Sequence, residues 1–544
     1  MNLANLKALF MIPKWAKFFI SISIIIILLL LIAVLLLSQI TLSEINSAIE
    51  NPPPLSNLDI FLETTKDTNP IQIKSWLWNT IKYYIWLIIL VFLLFSNILR
   101  FIATTNNKKV QILLATIAFI AMSASFYNNA FGIENDEHFK SWQRDTESHI
   151  IARSLADIYG LETQGYGLGF LKAGDIQTYG AGSDKILAEG IVPQSYAPYK
   201  SAIGIQGYMW SFIYRYFNDR KLKSTQTHLK DLKPLYVICS ALNAVSILIV
   251  AFLLGKIFGR LFGVVFVVSM FLSPWITNYG NNLYHNFYAW LMPSMFSFSI
   301  FLLLYKNDNH KKSKIALLSI GYVLSLFFKS LMSYEYLTSI VLFSLSPFFL
   351  APFLAKMKFI DTCPPLKKLA KQTAMLFALA VLGFCFAFSI HTYMRGNGDF
   401  VAGVESIYKG DFLRRMVGGN ARDFYEPELA ESLTNANALQ IIAKYLDWHS
   451  PIVVQFNFRG NFYVLLIINI LLLIFAFKGA QRRLLVAMFV VFALPAISWF
   501  VFGKAHSYIH THMNFVLWYL GFIAVLLYIP IVATLQSKRS VKEQ

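Results

Sequence analysis

The chain has few charged residues for its length. Only 14% of its 544 residues are Asp, Glu, Lys or Arg, whereas 56% are hydrophobic and 16% are aromatic. Soluble domains carry about a quarter of their residues as charged side chains, so this composition excludes an ordinary soluble protein. The predicted fold class is an all-α polytopic membrane protein.

Acidic residues are scarcer than basic ones. The chain has 29 Asp and Glu residues against 47 Lys and Arg residues, a formal net charge of +18 at pH 7. Such a charge could suggest nucleic acid, but the basic residues stand in short clusters between apolar runs. The positive-inside rule places such clusters in cytoplasmic loops, so we expect no nucleic-acid partner. The lipid bilayer is the expected surrounding.

Several familiar patterns are also missing. Cys239, Cys363 and Cys385 are an odd and scattered set, and we expect no disulfide. No internal repeat of fixed period is visible, so the inverted repeats of many transporters are not indicated. The segment GYGLGF at 165–170 follows no predicted strand. It therefore predicts a glycine-rich external loop and excludes a dinucleotide-binding loop.

Long apolar stretches are what the chain has in place of charge. Stretches near 20 residues predict about twelve membrane spans. The first follows Lys7, Lys14 and Lys17 and is longer than a signal-peptide core, so we expect it to remain as a span. The predicted spans cover residues 18–40, 77–100, 110–127, 234–254, 261–277, 287–305, 315–333, 337–355, 373–393, 461–477, 484–502 and 513–535.

The connections between these spans alternate in charge. Every second connection carries an excess of Lys and Arg, which places both termini in the cytoplasm and the chain in the inner (cytoplasmic) membrane. The two largest loops, 128–233 and 394–460, then lie on the external, periplasmic side as compact caps with short interfacial helices. The predicted parts are residues 1–109 with an external loop at 41–76, a core membrane domain at 110–393, the loop 394–460, and the C-terminal spans and cytoplasmic tail at 461–544.

An acidic pair opens the first large external loop. Asp136, Glu137 and His138 directly follow an apolar span, and ionisable groups at a bilayer boundary are costly and usually functional. Two carboxylates are able to deprotonate a hydroxyl, to hold a divalent cation, or merely to end a span in water. Residues 148–158 then have apolar side chains at helical spacing, which predicts a helix lying along the membrane surface.

A basic segment, GKAHSYIHTH, precedes the last predicted span. Its Lys504, His506 and His510 lie at the external boundary, and the two histidines are four residues apart on one helical face. No Glu stands between them as in the zinc-protease pattern. We expect an anion-binding cluster that meets a lipid phosphate, with metal ligation and simple snorkelling as the alternatives.

Other polar residues project to the same predicted side. Lys329 lies near the outer end of its span, where a lysine is paired, snorkels or binds a phosphate. Glu335, in the turn that follows, or a bound anion would satisfy its ammonium group. The candidate substrate-binding residues are His138, His285, Tyr334, Glu335 and Lys329.

With these residues in view, the chain resembles the GT-C superfamily of integral membrane glycosyltransferases, which take a sugar from a polyprenyl-phosphate carrier. The resemblance covers residues 110–535 and extends to poorly characterised bacterial membrane proteins of that superfamily. One departure is that the acidic pair follows the third span here and the first span in the superfamily. The matching segments are NDEHF, ESHIIARSLADIYG, GKIFGRLFGVVFVVSMFLSPW, NLYHNFYAWLMP, FKSLMSYEYLTS and GKAHSYIHTHMNFVLWYLGF.

The resemblance implies roles for named residues. Asp136 would be the general base, and Glu137 would assist it as a second carboxylate or as a ligand of a divalent cation. A basic cluster on a later external loop would hold the carrier phosphate. The best matches for that cluster are Lys504, His506 and His510, with Arg395, Arg414 and Arg415 in reserve.

Physical chemistry points to the same donor. Nucleotide sugars are made in the cytoplasm, so an external site needs a donor delivered on a lipid tail, and its phosphate needs cations near the spans. The expected reaction is inverting transfer of a sugar to a glycolipid, a polysaccharide or an exported protein. Two alternatives stay open: a transporter or lipid flippase, and a polysaccharide polymerase or ligase that uses a prenyl-diphosphate-linked oligosaccharide.

Overall fold

A computed structural model of the chain describes residues 96, 98–173, 176–177, 186, 191–218, 232–305, 312–361, 365–417, 437–447, 452–453 and 461–540. These residues are mostly helical. They include seven helices long and apolar enough to cross a membrane, or up to nine spans if each of two bent helix pairs counts as one. The chain is therefore a polytopic, predominantly α-helical membrane protein.

The helices follow one another along the chain. The first ten are α1 (Lys108–Asn128), α2 (Asp136–Ser141), α3 (Arg144–Tyr159), α4 (Ile205–Asn218), α5 (Lys233–Phe258), α6 (Arg260–Phe271), α7 (Pro274–Gly280), α8 (Phe287–Tyr305), α9 (Lys312–Met332) and α10 (Leu337–Lys356). The later ones are α11 (Leu366–Arg395), α12 (Phe400–Ile407), α13 (Arg414–Val417), α14 (Ala438–Asp447), α15 (Asn461–Phe475), α16 (Gly479–Phe502), α17 (Lys504–Ile509), α18 (Thr511–Asn514) and α19 (Phe522–Ser540). A π-helical turn, Tyr408–Leu413, precedes α13, and a 3-10 turn, Phe515–Tyr519, precedes α19.

Seven of the predicted spans are single helices of membrane length, namely α1, α5, α8, α9, α10, α11 and α16. Helix α15 stands at the place of the span predicted at 461–477 but has only 15 residues, which is short for a full crossing. The span predicted at 18–40 and most of the one at 77–100 lie outside the described residues.

The remaining two predicted spans are bent. Between α6 and α7 the chain turns by 73°, because Ser273 accepts a hydrogen bond from Ile276 N and Pro274 opens a new helix. The segment predicted as a straight span at 513–535 turns by 49° between the 3-10 turn and α19. The structure therefore has broken helices at the two places where the sequence predicts spans 261–277 and 513–535.

The chain divides into two compact units, one from Leu99 to Pro530 and one made of Met1–Ile98 with Ile531–Gln544. All the site residues discussed below lie in the first unit. Within it, we call the end of the helices where Asn128, Lys233 and Met332 lie the polar end. Hydrogen bonds join segments there, such as Gly204 N to Leu331 O at 2.9 Å and Asn281 Nδ2 to Tyr127 O at 3.1 Å.

The first large loop forms a layer on the polar end that contains a small antiparallel sheet, an element that the all-α prediction did not include. Its strands are β1 (Gly169–Ala173), β2 (Ile176–Gln177) and β3 (Ser195–Pro198), in the order β2-β1-β3. Gly169 pairs with Pro198 and Lys172 with Gln177. The predicted glycine-rich loop leads into this sheet. A Cβ atom on Gly207 would lie 1.6 Å from Gly167 O, so backbone meets backbone there.

Helix α3 is buried within this layer. Each of its residues from Glu147 to Ala156 is buried, and Ile150 and Leu155 belong to the same core as Leu171 and Trp210. A helix at a membrane surface would leave one face to lipid or water. The predicted interfacial position is therefore wrong, because the sheet and α4 pack on α3 and complete a protein core around it.

Two cysteines can be located. Cys239 in α5 is buried and Cys385 in α11 is exposed, and both are free thiols. Cys363 lies outside the described residues.

Candidate functional site

A buried carboxylate, Glu335, lies between two basic side chains at the polar end. It occupies the turn between α9 and α10 and is 8% exposed. Its Oε1 atom is 3.8 Å from Arg415 Nη2 and 3.8 Å from His506 Nε2. Both distances are longer than a hydrogen bond, so the lone pairs of the carboxylate are not taken up by these contacts.

Arg415 joins Glu335 to a second buried carboxylate. Arg415 Nη1 is 3.4 Å from Asp411 Oδ1, and Asp411 Oδ2 is 3.5 Å from Arg395 Nη2. Asp411 lies on the π-helical turn, four residues before Arg415, so the two share a helical face. Arg395, Asp411, Arg415 and Glu335 thus alternate in charge, and His506 stands at the end of this row, which we call the charge row.

Arg415 is a permanent cation in this row. Burial opposes its charged form, but Glu335 and its other neighbours raise the pKa of Arg415 above its ordinary value. Arg395 is held from other sides as well, since Nε donates to Ser406 Oγ at 3.0 Å and Nη1 donates to Lys200 O. Arg414 begins α13, and the description of this residue covers only its backbone.

Lys329 and His285 lie beside the charge row. Lys329 is 1% exposed, and its Nζ atom donates to Ser333 O at 2.8 Å and to Ser333 Oγ at 2.9 Å. The ammonium group thus pairs with oxygens of the residue that follows the last turn of α9. It also remains within electrostatic range of Glu335. The ammonium group is hydrogen-bonded by Ser333, whereas we expected Glu335 or a bound anion to satisfy it.

His285 is enclosed by aromatic rings. Its ring centroid is 4.9 Å from that of Tyr279 and 5.9 Å from that of Trp142. Burial lowers the pKa of His285 to about 4 despite the nearby charge of Glu335, so the ring is neutral at neutral pH. Among the residues that the structure describes, His285 Nε2 has no hydrogen-bond partner.

Tyr334 stands on the other side of Glu335. Its hydroxyl is 2.9 Å from His391 Nδ1, and His391 Nε2 is 2.9 Å from Lys200 O. Because a carbonyl only accepts, His391 Nε2 carries a proton, and in the neutral ring Tyr334 donates to Nδ1. Tyr334 is therefore engaged in fixing the loop that carries Lys200.

A row of histidines extends from the charge row along the polar end. The ring centroids of His506 and His510 are 4.6 Å apart, and those of His510 and His512 are 5.5 Å apart. His512 lies within electrostatic range of His138. Lys504 begins α17 and is half-buried. The structure therefore brings the late basic segment, Glu335 and the loop of the acidic pair to one end of the helices.

The acidic pair itself is exposed. Asp136 and Glu137 form the first turn of α2, where Asn135 accepts hydrogen bonds from Glu137 N and His138 N, and where carboxylates suit the helix dipole. Asp136 Oδ1 accepts a hydrogen bond from Asn129 Nδ2 at 2.7 Å. In the described part of the chain, no group of three or more His, Cys, Asp and Glu side chains is placed to hold a metal ion.

His138 pairs with a carboxylate that the sequence analysis did not single out. Its Nδ1 atom is 3.3 Å from Glu134 Oε2, which also accepts from Asn278 Nδ2 at 2.9 Å. The hydrogen bond to Glu134 raises the pKa of His138 against the effect of burial. Burial favours the neutral acid, but the contacts with His138, with the backbone of Asn135 and with Asn278 together outweigh it and lower the pKa of Glu134.

This pair predicts a pH dependence of stability. The contribution of His138 to the free energy of unfolding is complete below its ordinary pKa of 6.5. This contribution is lost as the pH rises through the raised pKa of His138 in the folded protein. The contribution of Glu134 to the free energy of unfolding is complete above its ordinary pKa of 4.5 and is lost as the pH falls through its lowered pKa.

We expect the unfolding temperature to be highest between these limits. In His138→Gln, the unfolding temperature should fall less as the pH rises above this range. An unchanged alkaline fall in this variant would contradict the assignment.

Sequence reasoning missed three residues of this region. Asp411 was detectable, since it stands four residues before Arg415 on one helical face. Glu134 precedes the acidic pair by two positions, and the sequence analysis considered only the pair. Asn514 had no local signal, because its importance depends on contacts with distant segments.

Comparison of the chain with protein-family models, with curated proteins and with solved structures finds no match. The resemblance to the GT-C superfamily therefore depends on the segments quoted above. Function has to be argued from the geometry of the polar end.

Proposed function

We propose that this chain is a membrane glycosyltransferase of the GT-C type, which moves a sugar from a polyprenyl-phosphate carrier to an acceptor on the external side of the membrane. The observation that carries the proposal is Glu335, a buried carboxylate beside Arg415 and His506 at the polar end of membrane-length helices. Transfer from a lipid phosphate needs a base for the acceptor hydroxyl and cations for the departing phosphate, close together near the bilayer.

Charge balance supports a monophosphate carrier. In the charge row, Arg395 and Arg415 offset Asp411 and Glu335, and Lys329 adds a buried positive charge near Glu335. A sugar phosphodiester carries a single negative charge, whereas a diphosphate carries more. The positive excess of these five groups matches the single charge of a polyprenyl-phosphate sugar.

The geometry favours Glu335 over Asp136 as the base. Asp136 is exposed and accepts a hydrogen bond from Asn129, whereas Glu335 is buried between the groups that would bind phosphate. In the proposed step, Glu335 takes the proton of the acceptor hydroxyl. The acceptor's hydroxyl oxygen attacks the anomeric carbon from the face opposite the phosphate. The bond from that carbon to the phosphate oxygen breaks, and the electron pair leaves with the phosphate towards Arg415 and His506.

A transporter remains the second candidate because of one specific observation. Transporters commonly have broken helices near their binding sites, and the bent pairs α6–α7 and α18–α19 both end or begin near the polar end. In that function the charge row would bind the phosphate of a lipid-linked sugar without cleaving it.

An assay of the purified protein in nanodiscs separates the candidates. The protein is incubated with polyprenyl-phosphate sugar labelled in the sugar, together with membranes that supply the acceptor. We expect label to leave the lipid carrier, free polyprenyl phosphate to appear, and a matching diphosphate-linked oligosaccharide to stay intact. Movement of the intact donor across liposomes, without cleavage of the sugar–phosphate bond, would instead establish transport.

A further inference from the structure

We propose that Asn514 is a positioning residue that sets the tautomer of His506, so that His506 faces Glu335 as a neutral N–H donor. The inference rests on the proposed function for its catalytic meaning, but its geometry stands independently. Asn514 is fully buried where α18 ends, eight residues after His506. It touches both His506 and the turn that carries Glu335.

The carbonyl oxygen of His506 determines which end of the Asn514 amide faces His506. The nitrogen end lies 3.5 Å from His506 O, and a carbonyl oxygen only accepts, so this end must be Nδ2. The other end, Oδ1, accepts a hydrogen bond from the Tyr336 hydroxyl at 2.6 Å. The reversed amide would lose the contact with His506 O, where two oxygens would face each other, whereas the Tyr336 hydroxyl both donates and accepts and therefore fits either end.

The amide orientation in turn determines the proton on His506. Asn514 Nδ2 lies 3.2 Å from His506 Nδ1, and an NH2 group only donates, so Nδ1 must be the unprotonated nitrogen. The ring proton of neutral His506 is then on Nε2, the atom that lies 3.8 Å from Glu335 Oε1. A protonated, imidazolium ring would carry an additional N–H at Nδ1, where it would face the NH2 group of Asn514. Two donors would then oppose each other, so this contact disfavours the charged ring.

This tautomer separates two chemical roles. His506 has no lone pair on the nitrogen that faces the site, so it donates a hydrogen bond and does not take the acceptor proton. That proton goes to Glu335, and the Nε2–H group of His506 would donate to the departing phosphate. Tyr336, which holds Asn514, directly follows Glu335, so one turn positions both the carboxylate and the device that orients the histidine.

Other charged and titratable groups also act on His506. Glu335 favours a proton on Nε2, Arg415 disfavours an additional positive charge, and Tyr336 is neutral and donates to Asn514. These groups come from the turn before α10, from α13, and from the segment of His506 itself. They are Glu335, Tyr336, Arg415 and His510. Helix α14, which packs on α17, adds Tyr445 beside Asn514 and Lys444, whose Nζ donates to Tyr508 O at 2.8 Å.

The test is Asn514→Asp, a change from an amide that donates to a carboxylate that only accepts. The protein is labelled with 15N-histidine in nanodiscs, and the His506 signals are assigned with His506→Gln. We expect wild-type His506 to show a protonated Nε2 and a bare Nδ1, and Asn514→Asp to protonate Nδ1. An opposite charge within 4–6 Å shifts a pKa by about 1–3 units, so the imidazolium should persist to a pH higher by that amount.

A control variant and an activity measurement complete the test. Asn107→Asp makes the same chemical change at the start of α1, away from the site, and should leave the His506 signals unchanged. In the transfer assay, the pH at which activity falls on the acid side should rise in Asn514→Asp together with the pKa of His506. In Asn107→Asp this pH should stay unchanged. A protonated Nδ1 in wild-type His506, or unchanged signals in Asn514→Asp, would overturn the inference. The NMR result is independent of catalysis, so the expected tautomer without sugar transfer would refute only the proposed function.

Discussion

Glu335→Gln is expected to lower the rate of sugar transfer by about 10²–10⁴-fold, the usual contribution of a general base. Gln has the size and shape of Glu but does not accept a proton from a hydroxyl. Arg415 keeps its partner Asp411 in this variant, so the fold should survive. The rate of label release from polyprenyl-phosphate sugar measures the effect, and the unfolding temperature of the same preparation verifies that the protein remains folded.

The matched control is Asp136→Asn. Its carboxylate is exposed and its contact with Asn129 lies away from the charge row, so we expect this variant to keep its rate within about threefold, less than any catalytic proton transfer contributes. The GT-C resemblance implies the opposite pattern. If Asp136→Asn is inactive while Glu335→Gln transfers sugar at the wild-type rate, the base is Asp136.

Arg415→Gln is expected to destabilise the protein by about 3–5 kcal/mol, the usual cost of removing one partner from a buried ion pair. Without the guanidinium group, Glu335 and Asp411 would be left buried without the cation that they share. Unfolding in detergent by heat or denaturant measures the loss. Binding of the labelled donor should also fall, because the variant lacks a cation that the proposed function assigns to the phosphate.

Two further variants test the cause of this loss. Lys409→Ala removes the basic partner of an exposed pair, Lys409 with Glu405, and should leave stability unchanged. The double variant Arg415→Gln with Glu335→Gln removes one of the stranded carboxylates and should recover part of the loss. Equal destabilisation in the single and double variants would show that the effect comes from packing of the arginine stem and not from charge.

Local sequence rules identified much of the membrane domain. Helices α5, α8 and α10 appear within a few residues of their predicted limits, because hydrophobic length is a property of consecutive residues. The same rules predicted a helix after the acidic pair. They gave the wrong surroundings for α3, because whether its apolar face meets lipid or protein depends on a sheet formed 20 residues later.

The bends had partial signals. Ser273 and Pro274 form a typical helix start, which the hydropathy of 261–277 outweighed in the prediction. The break before α19 comes at Gly521, whose φ of +95° is open to glycine alone among common residues. A search for helix caps inside apolar runs would have located the first bend.

The sequence by itself determined that this is a helical membrane protein with its unusual polar residues in the connections, because composition and apolar length need no knowledge of contacts. Only the tertiary structure decided which carboxylate stands among cations and how His506 is oriented. The Tyr336–Asn514 hydrogen bond joins residues 178 positions apart. Such a distance in the chain is closed by helix packing, and no local pattern of residue types encodes it.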